Sequence, residues 1–406
     1  MDNNKPNVPK LRFPGFTEPW ERRKLGECGT TFGGLSGKTK EDFGHGEARF
    51  VPYTNVFDNP IADAGRLEAI EIDPKQNAVK FGDVFFTTSS ETPEEVGMSS
   101  VWLSEQPNVY LNSFCFGYRQ DGSFDTHYLA YMLRSQSMRN SMTLLAQGIS
   151  RFNISKKKVM ELEVSCPQLE EQTKIGTYFS KLDSLITLHQ RKLEHLQKLK
   201  KGLLQKMFPK DGETVPEIRF PGFTDPWEQR KLGDLFYEAT ERSSELEILS
   251  VSISNGVYPA SESERDTNPG ASIVNYKIVC VGDIVYNSMR MWQGAVDASS
   301  HNGIVSPAYV VAKPKSPTFP RFFSRLLKRP QMLHKFHSIS QGNSKDTLML
   351  KFDQFAKIPV CYPAKKEEQK RIAASFDEID SLITLHQRKA EHLQQLKKGL
   401  LQQMFV

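Results

Sequence analysis

Two separate segments of this chain each occur twice, and that repetition limits what it can fold into more than any other property. Val8–Glu27 reads VPKLRFPGFTEPWERRKLGE and Val215–Asp234 reads VPEIRFPGFTDPWEQRKLGD, identical at 15 of 20 positions with an offset of 207. Asp183–Phe208 reads DSLITLHQRKLEHLQKLKKGLLQKMF and Asp380–Phe405 reads DSLITLHQRKAEHLQQLKKGLLQQMF, identical at 23 of 26 with an offset of 197. The chain order is therefore A–X–B–A′–X′–B′. Blocks X (about 28–165) and X′ (about 235–362) are nearly unrelated and share only landmarks. These are Phe81-Gly82-Asp83-Val84 with Val281-Gly282-Asp283-Ile284, Gln147-Gly148 with Gln341-Gly342, and Cys166-Pro167 with Tyr362-Pro363. Halves that keep their frame while their interiors diverge imply one scaffold presenting two different readers.

Segment B has the pattern of a long helix. From Glu170 to Phe208 there is no proline, and Gly176 and Gly202 are weak breakers. Apolar residues follow a 4-3-4-3 seam through Ile175, Phe179, Leu182, Ile186, Leu193, Leu196, Leu203 and Met207, with His189 and Lys200 in the two remaining places. The copy repeats the seam from Ile372 to Met404, with His386, Ala390 and Lys397 in it. A seam sustained over several heptads predicts a coiled coil, each helix on the order of 55–60 Å long. Antiparallel pairing puts one X block at each end, gives a pseudo-two-fold molecule and brings His189 to His386. The remaining organisation follows: 1–166 and 218–363 as mixed α/β domains, 167–208 and 364–406 as spacer helices, and 209–217 as a linker. The fold class is α+β. Within the blocks, Val79–Thr87, Val109–Tyr118, Ala271–Tyr286 and Ala308–Val311 have strand composition, while Tyr128–Met142 and Phe319–Phe336 have helical spacing.

Composition excludes several classes. Charged residues make up 25% and apolar residues 38% of 406, as in ordinary globular proteins. No run approaches the roughly 18 apolar residues a membrane helix needs, and no signal-peptide pattern opens the sequence, so a cytoplasmic protein is expected. The five cysteines are far apart with no Cys-x-x-Cys, which predicts neither a disulfide framework nor a thiolate zinc site. Net charge is +5, but segments 181–208 (+5) and 378–405 (+1) carry more than all of it. Any DNA contact made by the rest depends on local patches.

Catalytic motifs are missing. Thr31–Thr39, TFGGLSGKT, lacks the first glycine of a phosphate loop, because Phe32 occupies its place. There is no G-x-G-x-x-G and no Pro-Pro dipeptide of a base-gripping methyltransferase loop. His334-x-x-His337 has no acidic or cysteine partner at metal spacing, so no metal and no catalytic residue is assigned.

The frame resembles the specificity subunits of type I restriction–modification enzymes, over essentially the whole chain. Its carriers are Arg12–Gly26 and Arg219–Gly233, the runs Pro167-x-x-Glu170-Glu171-Gln172-x-x-Ile175 and Pro363-x-x-x-Glu367-Glu368-Gln369-x-x-Ile372, and the heptad helices that follow. The resemblance implies a non-catalytic subunit whose divergent blocks each read one half of a split double-stranded DNA target. It implies that the repeated helices bind two modification (methyltransferase) subunits, and that restriction (nuclease–translocase) subunits join the complex. S-adenosylmethionine, ATP and Mg²⁺ then belong to the partners and no cofactor to this chain. Readers at the ends of such a rod would be spaced by about one to one and a half duplex turns.

By the same resemblance, base contacts fall first on the loop after each Gly-Asp strand. These residues are Thr87, Thr88, Ser89 and Ser90 in one block, and Asn287, Ser288, Arg290 and Gln293 in the other. The second choice is the loop at each Gln-Gly: Gln147, Ser150, Arg151 and Asn153, then Gln341, Asn343, Ser344 and Lys345. Amides, hydroxyls and guanidinium groups are what direct readout requires. Trp20 and Trp227 share the repeated frame and are expected to pack, and Cys166 and Cys361 to be buried. Two other readings compete, a solitary DNA-binding protein and a coiled-coil adaptor for proteins.

Overall fold

The repeated segments fold the same way twice. In the computed structural model, which describes residues 7–263, 273–342 and 348–406, the chain divides into two units. The first comprises residues 1–191 and 387–406, and the second residues 192–386.

In the first unit Glu21–Lys24 pairs antiparallel with Glu163–Cys166, just ahead of the long helix Leu169–Lys206. In the second, Glu228–Lys231 pairs with Pro359–Tyr362, ahead of the long helix Lys366–Gln403. Each divergent block then builds a four-stranded antiparallel sheet of identical order. The strands run Gly29–Gly33, Cys115–Gln120, Val84–Thr87, Ser99–Val101 in one, and Phe236–Glu238, Tyr309–Pro314, Ile284–Asn287, Val296–Ala298 in the other.

The Gly-Asp landmarks explain part of this sameness. Gly82 (φ 84°) and Gly282 (φ 94°) hold a left-handed turn that a side chain would strain. The following Asp83 and Asp283 carboxylates accept the backbone N–H of Lys80 at 2.7 Å and of Cys280 at 2.8 Å. Asp83 also takes a bidentate grip from Arg119 at 2.8 and 2.6 Å. Asp283 has no such arginine among the described residues, and burial pushes its carboxyl above the usual range.

Several expected elements are broken by local chemistry. The run 109–118 is two strands, Val109–Leu111 and Cys115–Gln120, parted by a turn at Asn112, whose amide oxygen accepts the N–H of Phe114. The 271–286 run contains strands Lys277–Val279 and Ile284–Asn287, and 79–87 is a strand only from Val84. Tyr128–Met142 splits into Thr126–Met132 and Gln136–Leu144 because Ser135 caps a new helix. Phe319–Phe336 splits into Pro320–Leu327 and Pro330–Ile339, since Pro330 cannot continue a helix.

The frame's motif residues have identifiable work. Arg12 donates to Glu171 at 2.7 and 2.8 Å, and Arg219 donates to Glu368 at the same distances. Each following glutamine, Gln172 and Gln369, donates to the proline carbonyl that precedes its helix. The glutamine oxygens accept the N–H of Asp125 and Phe319, the residues that open the short helices of the two blocks. Trp20 and Trp227 are buried, as expected of the shared frame. Cys166 is buried, whereas Cys361 is only half-buried, because it lies on the less covered face of its short ribbon.

Inside each unit the two long helices run antiparallel. In the first unit Lys397 meets Asp183 at 2.5 Å, and Phe405 packs 5.8 Å from Phe179. In the second, Lys200 meets Asp380 at 2.6 Å, and Phe208 packs 6.1 Å from Phe376. The seam lysines are thus paired in both units, and the end of each helix enters a core that the preceding block does not form. Met404 and Phe405 lie in the core of the first unit, Met207 and Phe208 in that of the second. Leu11 N–H donates to the Gln403 carbonyl, and its repeat counterpart Ile218 to Lys206, both at 2.9 Å.

In the second unit Arg321 and Arg325 each donate to Asp377 at 2.8 Å, and Arg325 reaches Asp380 at 2.7 Å. Burial works against the Asp377 charge, but the hydrogen bonds from Arg321 and Arg325 outweigh it and hold the carboxyl below its usual range. A carboxyl with a depressed folded pKa stabilises above its unfolded value of about 3.9, and that stability is lost as pH falls through the folded value. The stability gap between the wild type and Asp377→Asn should therefore be constant near neutral pH and close progressively below about pH 4. Urea titrations at several pH values check this, and a gap as large at pH 2 as at pH 7 would contradict it.

Candidate nucleic-acid interface

In the first unit the two candidate loops form one local structure. Ser89–Ser90 pairs antiparallel with Phe152–Asn153, and Ile154 N–H donates to the Thr88 carbonyl at 2.9 Å. Gln147 and Asn153 exchange backbone hydrogen bonds at 2.9 and 2.8 Å, closing a tight loop. Gly148 (φ 146°) is required there, since a Cβ would lie 2.0 Å from the Arg151 carbonyl oxygen. The same joints recur in the second unit. Leu350 N–H donates to the Ser288 carbonyl at 2.9 Å, and Gln341 and Met349 exchange hydrogen bonds. Asn343, Ser344 and Lys345 lie outside the described residues.

The candidate side chains differ sharply in what they can reach. Thr87 is fully buried and its hydroxyl accepts Met98 N–H, while Ser90 donates to the Thr92 carbonyl. Ser89 is buried too, with its carbonyl accepting the Tyr53 hydroxyl. Thr88 donates to the Phe114 carbonyl, and the buried Ser288 to that of Ala308. These residues shape the loops. Gln147, Ser150, Arg151 and Asn153 are exposed, as are Arg290 and Gln341, while Asn287 and Gln293 are half-buried.

Loop chemistry diverges between the units. After Ser90 the first unit presents exposed Glu91, Glu94 and Glu95, whereas the corresponding stretch of the second is Met289-Arg290-Met291-Trp292-Gln293. Two nearby arginines of the first unit, Arg139 and Arg134, are spent on structure, whereas Arg151 is exposed. Arg139 donates to the carbonyls of Gly97, Glu94 and Val96, holding the acidic loop in place. Arg134 donates to four carbonyls, and burial pushes it down to about 10. Lys38, the lysine of the phosphate-loop lookalike, is paired with Asp73 at 3.0 Å.

Sequence reasoning missed one feature in each unit. The tip of the Gln147–Asn153 loop carries Ile149, an apolar side chain 97% exposed. In the second unit the hairpin Leu249–Ser252/Gly256–Pro259 forms a cleft of about 660 Å³ with Asn287, Arg290 and Tyr309. Its signal was present in the alternating Leu-Ser-Val-Ser before Asn255-Gly256, a favoured hairpin turn. No group of three or more metal-ligating side chains is assembled among the described residues, and none of their helices is long and apolar enough to cross a membrane.

One frame and one sheet order, used twice under loops of different chemistry, define a paired recognition scaffold. The chain belongs to the type I restriction–modification DNA-specificity family, whose model, described as "Type I restriction modification DNA specificity domain", matches residues 17–198 and again 224–395. It is 24% identical over 381 residues to the type I restriction enzyme MjaVIII specificity subunit of Methanocaldococcus jannaschii, covering 87% of this chain and 84% of that protein. A second M. jannaschii relative, provisionally named the MjaX specificity subunit, is 22% identical over 426 residues, covering 97% and 95%. The fold is shared with the S subunit of a type I restriction–modification system from M. genitalium, with TM-score 0.61 at 15% identity over 98% of this chain and 99% of that one.

Proposed function

We propose that this chain reads a bipartite, asymmetric duplex-DNA target with a fixed gap, one unit per half-site, and catalyses nothing itself. It docks two methyltransferase subunits, through which the restriction subunits join, and the S-adenosylmethionine, ATP and Mg²⁺ chemistry belongs to those partners. The observation that carries this reading is identical sheet order under different loop chemistry: three exposed glutamates and Arg151 in one unit, Arg290 and a serine-lined hairpin without exposed glutamates at its loop in the other. Loops with different sets of donors and acceptors suit different base edges. A map of modified bases in the source cell, with and without the gene, tests it. Loss of one bipartite, fixed-gap motif is expected; no lost motif in a strain with intact partners would overturn the reading.

Two identical docking faces are supported by the helices. In the first unit Leu185, Leu188 and Leu396 are each 39–45% exposed, and in the second their repeat counterparts Leu382, Leu385 and Leu199 are 37–44% exposed. Leucines left bare at the same repeat positions in both units suit one partner type bound twice. Replacing Leu185 and Leu188 together by glutamate should lower the methyltransferase stoichiometry from two to one by native mass spectrometry. An unchanged ratio would place docking elsewhere.

A further inference from the structure

We infer that Arg290 reads a guanine through its O6 and N7 edge in the major groove, so that the half-site of the second unit contains that base. The inference rests on the DNA-reading function proposed above and gives it a chemical identity at one position.

The first ground is availability. Arg219, Arg230, Arg321 and Arg325 of this unit are held by carboxylates. Arg242 donates to Asn275, Arg329 to the Pro209 carbonyl, and Arg371 lies over the Phe223 ring. Among the described arginines of the unit, Arg290 alone has no side-chain hydrogen bond, ion pair or ring contact.

The second ground is rigidity beneath that free side chain. Its backbone N–H donates to the Asn287 carbonyl at 3.0 Å, and its own carbonyl accepts from Gln293 and Ala295. Ser288 on one side and Met291 on the other are buried, and Gly294 (φ 96°) closes the turn. Trp292 donates to the Met289 carbonyl at 3.1 Å and packs edge-on against His337. A backbone already fixed spares the loop's ordering cost on binding, so that only the Arg290 side chain has to be immobilised.

The third ground is the company Arg290 keeps. Its cleft is lined by serines and tyrosines, by Asn255 and Asn287, by Glu262 and by a few apolar residues, with no second cation among the described lining residues. A phosphate seat gathers cations and excludes a carboxylate, whereas base edges need donors and acceptors side by side. The guanidinium has five donors and no acceptor. Guanine offers it two adjacent acceptors, whereas adenine sets a donor beside N7.

The test uses the full-length chain with its methyltransferase partner. Mapping methylated motifs for the wild type and Arg290→Ala should show one guanine of one half-site becoming degenerate, with the other half unchanged. In duplexes with 7-deazaguanine at that position, wild-type binding should fall roughly 5- to 150-fold, while Arg290→Ala should be indifferent to the change. If Arg290→Ala gives no methylation at all, the 7-deazaguanine series at every guanine of the motif decides with wild-type protein. Sensitivity at none of them overturns the inference, as does degeneracy at a base pair without guanine on the read strand. A uniform loss across sequences, with the salt slope reduced by about 1, would make Arg290 a phosphate contact instead. Absence of any bipartite motif with the wild type would strike the DNA-reading function itself, a distinguishable result.

Discussion

Replacing Glu171 by alanine is expected to destabilise the first unit by roughly 3–5 kcal/mol, as breaking one partner of a buried ion pair does. Glu171 is 1% exposed and its partner Arg12 only 12%, and two hydrogen bonds of 2.7 and 2.8 Å join them. A guanidinium is charged at any pH a protein tolerates, with or without its partner, so removing Glu171 leaves the Arg12 charge stranded. The loss is large against a total of about 5–15 kcal/mol for a domain. Removing Arg12 as well should restore part of it, since the penalty lies in the stranded charge more than in the missing bond. Hydrogen exchange followed by mass spectrometry checks this, with deprotection expected across the frame 7–27 and the ribbon Glu163–Cys166. Wild-type protection there would show that the frame does not depend on this pair.

Phe208→Ala should cost about 3–5 kcal/mol, the usual range for deleting a buried phenyl ring, and the damage should fall in the second unit. Phe208 closes the helix that follows the first block, yet its ring stacks on Phe322 at 5.6 Å and meets the Trp227 edge at 6.0 Å. Phe376 lies at 6.1 Å, and the Arg329 guanidinium sits 4.9 Å above the ring. Faster exchange is expected in Glu228–Lys231 and Pro320–Leu327, with the sheet of the first block unchanged. If deprotection appeared in 28–165 instead, the ring would belong to the core that precedes it in sequence. Under the bipartite reading proposed above, the variant should lose recognition of one half-site and retain the other.

The identical sheet order under unrelated sequences has a physical reading. What the two blocks retain is a left-handed glycine, a self-capping aspartate and a helix start bound by arginine and glutamine. Each solves a backbone problem for which few residues serve. Strand interiors solve a packing problem that many apolar sets can satisfy, so they are free to diverge with the loops they carry.

Much of this was legible in the chain. The repeats delivered the frame, the heptad seam delivered both long helices nearly to the residue, and the Gly-Asp and Gln-Gly landmarks marked the structurally equivalent loops. Periodicity and glycine placement are local, and they survive without knowledge of partners. The sequence could not say that Arg12 and Glu171 meet across 159 residues, or that Phe208 and Phe405 complete cores their own blocks do not form. It could not separate Thr87 and Ser90, whose hydroxyls are consumed inside the fold, from Gln147 and Arg151, which are exposed. Nor could it tell Arg290, which has no side-chain partner among the described residues of its cleft, from Arg321 and Arg325, which are bound to aspartates. Whether a polar group is available depends on which distant donors and acceptors have already satisfied it, and only the tertiary structure settles that.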